Sequence, residues 1–476
     1  MNDSYTSPLS GRYASQAMLE LWSGSTRYGL WRRLWLALAE AERELGADIP
    51  AEAIDQMRAH LDDIDFDSVA AYERRFRHDV MAHVHAFGDV APAAKPFIHL
   101  GATSAYVTDN ADLILMRRGL ELLRGRSIGV VRELAAFAHK WKDLPTLGYT
   151  HLQPAQLTTV GKRATLWIQD LVLDIRDIDY RRSTLPFRGV KGTTGTQASF
   201  FELFGGDSAK VRKLDELVTA KMDFPASIPV SGQTYTRKID AGVLSAVSGV
   251  AASAAKFASD MRVLQSFGEI EEPFESEQIG SSAMAYKRNP MRSERINSLS
   301  RFVLNLESNA NQTHSVQYLE RTLDDSANRR LAIPESFLAT DAILLIYANI
   351  AHGIEVHSER IKQRVSAELP FMATEKLIVQ AVSNGGDRQA AHEIIRGHSM
   401  AASKALKEGA TRNDLLERLA GDPSFRLSAD QISETADAAR YTGRASQQVD
   451  EFLDEVISPL LAGTAAVAQD SSDLRV

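Results

Sequence analysis

Three features of this 476-residue sequence predict an all-α fold: where its prolines fall, how its apolar residues repeat, and how few alternating β-branched runs it holds. No proline occurs between Pro96 and Pro145, Pro154 and Pro186, Pro229 and Pro273, Pro290 and Pro334, or Pro334 and Pro370. Proline lacks the N–H a helix needs and its ring crowds the preceding turn, so these spans leave room for five long helices. In the first span Leu113, Met116, Leu120, Leu123, Val130, Leu134, Phe137 and Trp141 recur at steps of three, four or seven. That spacing draws one apolar stripe along one helical face. Thr108 or Asp109 is the expected cap of this helix. Long helices carry apolar faces that short neighbours cannot cover. Burying those faces between subunits predicts an oligomer built on a central bundle.

The remaining elements divide into three helical domains: 1–103, 104–357 and 358–476. In the first, Trp31, Leu34, Trp35 and Leu38 form a stripe that Ala39 to Glu44 continues, and Pro92 to Pro96 reads as a hinge before Gly101. The middle domain holds the long helices. After Pro370 the stripes shorten, broken by Gly385-Gly386, Gly409, Gly421 and Gly443, and a short polar tail runs from Gln469 to Asp473.

Composition excludes several classes. The formal net charge is −8, so the molecule is not a basic nucleic-acid binder, and an anionic ligand needs a local cluster of arginines. With no cysteine there are no disulfides, Fe–S clusters or thiol chemistry, which fits a reducing compartment. The N-terminus carries Asp3 and no apolar run, so no signal peptide is expected. The longest uncharged apolar-rich run, Ala241 to Ala255, is too short to span a bilayer. A soluble cytoplasmic protein, with no membrane partner, is the expectation. No His-x-x-x-His pair, dinucleotide fingerprint or phosphate-loop pattern appears, so no metal and no cofactor are expected.

The most informative stretch runs from Gly280 to Asn297. Two hydroxyls, Ser281 and Ser282, follow a glycine; then come Lys287, Arg288, Asn289, Pro290, Arg292 and Arg295. Asn289-Pro290 reads as a helix cap followed by a first-turn proline. A helix start offers unpaired N–H groups and the positive dipole end, which suits an anion. The stretch therefore reads as a mobile loop closing an anionic substrate against a helix. Residue types alone suit an ordinary Gly/Ser loop with solvated cations equally well.

The pattern Gly-Ser-Ser-x-Met-x-x-Lys-x-Asn-Pro resembles the signature of the fumarase/aspartase superfamily. Tyr286 to Arg295 is similar to its branch acting on succinylated purine nucleotides. Seven further stretches resemble the same branch in order along nearly the whole chain: Ser10 to Tyr13, Arg77 to Asp79, Gly101 to Ser104, Thr150 to Gln156, Lys191 to Gln197, Gly232 to Lys238, and Glu320 to Arg330. One departure stands out. That branch usually has proline where this chain has Ala285, a change that enlarges the unfolded ensemble of the loop but removes no chemical group.

The resemblance implies an all-α homotetramer whose sites are each built by three subunits. It implies β-elimination of fumarate from adenylosuccinate and from succinyl-aminoimidazole-carboxamide ribotide, in purine nucleotide biosynthesis. That chemistry needs a base for the proton beside a carboxylate, support for the charge that develops, and an acid for the leaving nitrogen. By the match Ser281 is the base, its alkoxide stabilised by loop N–H groups and Lys287; only the match prefers it to Ser282. His151 is the implied general acid, and Pro154 nearby places it at a helix start or in a loop. Arg77, His78 and Asp79 are assigned to substrate binding. Thr103 and Ser104 are assigned to the succinyl carboxylates, as is Gln233, which would alternatively hold the base. Arg12, Tyr13, Arg321, Ser326 and Arg330 are assigned to the phosphate; Arg295, with Asn289, completes the substrate site. Arginine forks suit phosphate and carboxylate. Arg329 lies off the face shared by Ser326 and Arg330 and reads as a structural ion-pair partner. Superfamily lyases for argininosuccinate, aspartate or malate are the nearest rivals, but their substrates carry no phosphate. A catalytically silent helical scaffold is the rival of another class.

Overall fold

A computed structural model describes residues 4–463 apart from Ser276 and Arg426. Asp3 and the Gln469 to Asp473 tail lie outside the described residues.

The fold is all-α apart from two small two-stranded sheets. Five long helices dominate: Ser104–Lys140, Val160–Thr184, Lys238–Ser266, Met291–Ser315 and Asp324–Gly353. They pack on one another as a bundle. The stripe on Ser104–Lys140 is buried from Leu113 to Phe137, and the helix ends at Trp141. Close approach sets one register in the bundle. A Cβ on Gly119 would sit 2.7 Å from the Phe337 ring, so this helix meets Asp324–Gly353 where only glycine fits.

Polar groups also cross the core. Arg237 donates through Nε to Asp325 at 2.6 Å and through both Nη atoms to Asp109. Arg329 donates to Asp240 at 2.7 Å and to the Tyr235 hydroxyl at 2.6 Å, and it pairs with Asp112 at 3.0 Å. All are buried, and together they tie three long helices. Buried charges persist only when paired and hydrogen-bonded in this way. Asp109 is therefore a buried ion-pair partner and not a cap. The helix begins one turn earlier, with Thr103 at its cap position and without a side-chain cap bond.

Two proline boundaries are corrected. Pro334 lies inside Asp324–Gly353 and Pro370 inside Ser358–Met372. The Pro334 ring forgoes one backbone hydrogen bond, but Ile333, Ser336 and Phe337 around it are buried. Packing of that density outweighs a penalty of about 3 kcal/mol. Lys238–Ser266 and Asp324–Gly353 are long and apolar enough to cross a membrane, but 61% and 78% of their most apolar stretches are buried inside the fold, the pattern of core helices.

Near the N-terminus, Trp31, Leu34, Trp35 and Leu38 are buried on helix Gly24–Glu44 and share one core with the long helices. A separate core, built on Leu377, Ile395, Leu415, Leu419 and Phe425, gathers the helices that follow Ala373 as far as Ile432, while Val449 and Ile457 on the last helices rejoin the main core.

Candidate active site

The Ser281 loop follows strand Ile270–Glu271 and leads into helix Met291–Ser315. Ser281 Oγ accepts from the backbone N–H of Met284 at 3.1 Å and of Ala283 at 3.3 Å. Two N–H dipoles thus converge on the oxygen that would carry the alkoxide charge, the electrostatic support such a base needs. Gly280 makes the turn possible: a Cβ there would lie 2.2 Å from the Lys287 carbonyl oxygen. Lys287 is exposed beside it.

The helix start behaves differently from expectation. Asn289 does not cap it; its Nδ2 donates instead to the Gly280 carbonyl at 2.7 Å. Pro290 occupies the cap position, not the first turn. The free N–H groups are taken by Glu272, a buried carboxylate that accepts from Arg292 N at 2.9 Å and from Ser293 N and Oγ at 3.0 Å. Burial raises the Glu272 pKa, opposed by these N–H bonds. The anion at this helix start is therefore the chain's own carboxylate, and a substrate anion must look to Lys287 and the arginines.

His151 sits at the tip of a hairpin made by strands Pro145–Thr150 and Gln153–Thr159, in the left-handed region at φ 54°. It is in a loop, not at a helix start. Its ring is exposed and makes no hydrogen bond or ion pair among the described residues, so a ligand is free to use it.

A third group forms around His78. Arg77 ends helix Phe66–Phe76 in a left-handed conformation, and His78 caps helix Asp79–Val90. His78 Nδ1 accepts from Met81 N, which leaves the proton of the neutral ring on Nε2, 3.3 Å from Ser104 Oγ. Asp79 bonds Arg330 at 2.5 Å. Burial raises the Asp79 pKa, but its bond to Arg330 outweighs that and holds the carboxyl below its ordinary value. His78, Asp79, Ser104 and Arg330 are thus brought together, with Arg77 and Thr103 adjacent in sequence.

Arg12 and Tyr13 lie in the single turn Leu9–Tyr13, and the guanidiniums of Arg12 and Arg295 lie 5.8 and 6.0 Å from the Tyr13 ring. Gln233 N donates to the Glu320 carbonyl at 2.9 Å, placing Gln233 beside Arg321. Ser326 and Arg330 ride helix Asp324–Gly353; Arg321 precedes it. No hydrogen bond or ion pair among the described residues joins the Ser281, His151, His78 and Tyr13 groups. A cavity of about 650 Å³ lined by Lys191, Gln197, Asp215 and Ser227 contains none of the assigned residues.

Three residues to which the sequence assigned no role matter to the geometry. Glu272 fills the helix start. Arg288 bonds Glu271 and Glu355. His99, left-handed at φ 73° just before Gly101, accepts from the Trp35 indole at 2.9 Å; burial, then His78, pushes its pKa down to about 4. Glu271, Glu355 and His357 lie close enough to share an ion, but the Arg288 guanidinium already serves both carboxylates.

Comparison with known proteins bears on the fold and the family. The backbone superposes on a fumarate lyase from Mesorhizobium sp. BNC1 with a TM-score of 0.80 at 23% identity, covering 93% of this chain and 99% of that one. It superposes on the 3-carboxy-cis,cis-muconate lactonizing enzyme from Pseudomonas putida with a TM-score of 0.81 at 23% identity, covering 93% and 97%. At that identity the likeness establishes the fold. Residues 6–304 match the family described as Lyase, which defines the class, and residues 370–452 match Adenylosuccinate lyase C-terminus. The adenylosuccinate lyases of Schizosaccharomyces pombe and Saccharomyces cerevisiae are each 50% identical, the first covering 99% of both chains and the second 96% of both. The chain belongs to the adenylosuccinate lyase family.

Proposed function

We propose that this chain cleaves adenylosuccinate to AMP and fumarate, and succinyl-aminoimidazole-carboxamide ribotide to aminoimidazole-carboxamide ribotide and fumarate, in purine nucleotide biosynthesis. The observation that carries the reading is the Ser281 hydroxyl oxygen, held by two backbone N–H groups in an exposed loop that also presents Lys287. Ser281 removes the proton from the carbon beside the substrate carboxylate. Lys287 offsets the charge that develops there, and His151 protonates the leaving nitrogen. The carbon–nitrogen bond breaks as the carbon–carbon double bond of fumarate forms.

The proposed assembly is a homotetramer whose sites draw on three subunits. What supports it is the scatter of the Ser281, His151, His78 and Tyr13 groups over one chain, together with exposed apolar side chains on the long helices, among them Leu166, Leu173, Phe302 and Leu331. The proposed domains, 1–103, 104–357 and 358–476, take their boundaries beside the starts of helices Ser104–Lys140 and Ser358–Met372. We place the enzyme in the cytoplasm, cofactor-free, a reading with which the cysteine-free sequence is compatible.

The test is a spectrophotometric assay with adenylosuccinate, following AMP. Wild-type enzyme should turn over, and Ser281→Ala should lose about 10²–10⁴-fold in kcat with substrate affinity nearly intact. Wild-type protein that forms no AMP overturns the reading. A Ser281→Ala variant close to wild type moves the base elsewhere.

A further inference from the structure

We propose that Arg288 is a positioning residue: it clamps the neck of the 280–287 loop and so holds Ser281 in register for proton abstraction. The inference rests on the reading of Ser281 as the base.

The Arg288 fork spans both strands of the small sheet at the loop's root. Nη1 donates to Glu271 at 2.9 Å and to Glu355 at 3.1 Å, and Nη2 donates to Glu355 at 2.9 Å. Glu271 and Glu355 are themselves paired residues of strands Ile270–Glu271 and Glu355–Val356. The guanidinium also lies 4.7 Å from the Phe274 ring, so the incoming limb of the loop packs on it. The backbone is stitched at the same level. Gln265 Nε2 donates to the Arg288 carbonyl at 3.0 Å, and Gln265 Oε1 accepts from Glu272 N at 3.3 Å, so one side chain grips both limbs. Asn289 then closes the neck on Gly280.

Beyond the neck, residues 281–287 make only local bonds among the described residues. Ser281 Oγ accepts from Ala283 and Met284, Lys287 N donates to Met284, and the Tyr286 hydroxyl meets the Met284 sulfur at 3.7 Å. Among the described residues no hydrogen bond or ion pair from outside the loop holds 281–287, so the neck sets its direction, and Ser281 is one residue past it. A displacement of about 1 Å at a reacting group costs on the order of 10²-fold in rate. The planar fork meets both carboxylates in a fixed geometry, two of its bonds falling on Glu355, whereas lysine offers one compact, rotatable charge.

The test combines steady-state kinetics with hydrogen exchange of the Ala283, Met284 and Lys287 amides in substrate-free enzyme. Arg288→Gln should lower kcat by about 10–100-fold and change KM by less than about threefold. Arg288→Lys should recover part of the loss, and Glu355→Gln should produce a smaller loss of the same kind. Loop amides should exchange faster in Arg288→Gln while those of helix Ser104–Lys140 are unchanged. Two outcomes overturn the clamp: kcat and loop exchange close to wild type in Arg288→Gln, or faster exchange throughout the bundle, which marks a general structural role. The exchange measurement needs no turnover. If wild-type enzyme forms no AMP, the assignment of the reaction fails while the clamp is still measured.

Discussion

Arg330 is the residue on which the phosphate assignment turns. Its Nη2 is bonded to Asp79, and the guanidinium is otherwise exposed. A guanidinium carries five N–H donors, so Asp79 fixes its orientation while the rest of the fork stays available for a phosphate. A charge-assisted hydrogen bond contributes roughly 1.5–3 kcal/mol, so Arg330→Ala should weaken adenylosuccinate binding by about 10–100-fold. Succinyladenosine lacks the phosphate and should be weakened far less by the same substitution. Arg330→Lys should fall between, keeping the charge without the fork. Equal losses for both substrates, measured as KM or as inhibition constants, would remove Arg330 from the phosphate site.

At the scale of elements, helix Asp79–Val90 is held against Gly24–Glu44 by His83, which stacks on Tyr28 at 4.0 Å and meets Trp31 edge-on. Burial, then the Arg32 charge, lowers the His83 pKa from 6.5 to about 4, with Asp79 opposing. The unfolded chain therefore binds a proton that the folded chain refuses between those values. Stability from this site is complete above pH 6.5 and is lost as pH falls toward 4, by up to about 3 kcal/mol. Thermal unfolding followed from pH 7 to 4.5 should show a smaller acid loss in His83→Phe than in wild type; superimposable pH profiles contradict the account. The long helices were legible because the proline-free spans leave room for them and Ser104–Lys140 carries its own periodic stripe. Pro334 and Pro370 misled because dense packing around a helix outweighs a local penalty that sequence shows in isolation. The His151 hairpin was hidden by Pro154 and Gly148 within its strands, both poor strand residues. The motif residues of the candidate site were legible from the family pattern. Glu272 and the role of Arg288 were not, because their importance lies in partners: Glu272 accepts from a helix start twenty residues away, and Arg288 reaches Glu355, sixty-seven residues on.

For the whole molecule, the proposed tetramer would complete a site whose parts one chain carries in separate groups. His151, at a hairpin tip, and Ser281, in its loop, both point no bond at each other or at the His78 group among the described residues. The long helices carry apolar side chains in the open, as surfaces awaiting partners do. The most direct measurement mixes two dead variants. His151→Ala and Ser281→Ala, unfolded together in equal amounts and co-refolded, should regain activity, because a site taking His151 from one subunit and Ser281 from another is intact in about one case in four under random assembly. Each variant refolded alone should stay inactive. If mixed tetramers are confirmed by mass and no activity returns, each site is made within a single chain and is not shared between subunits.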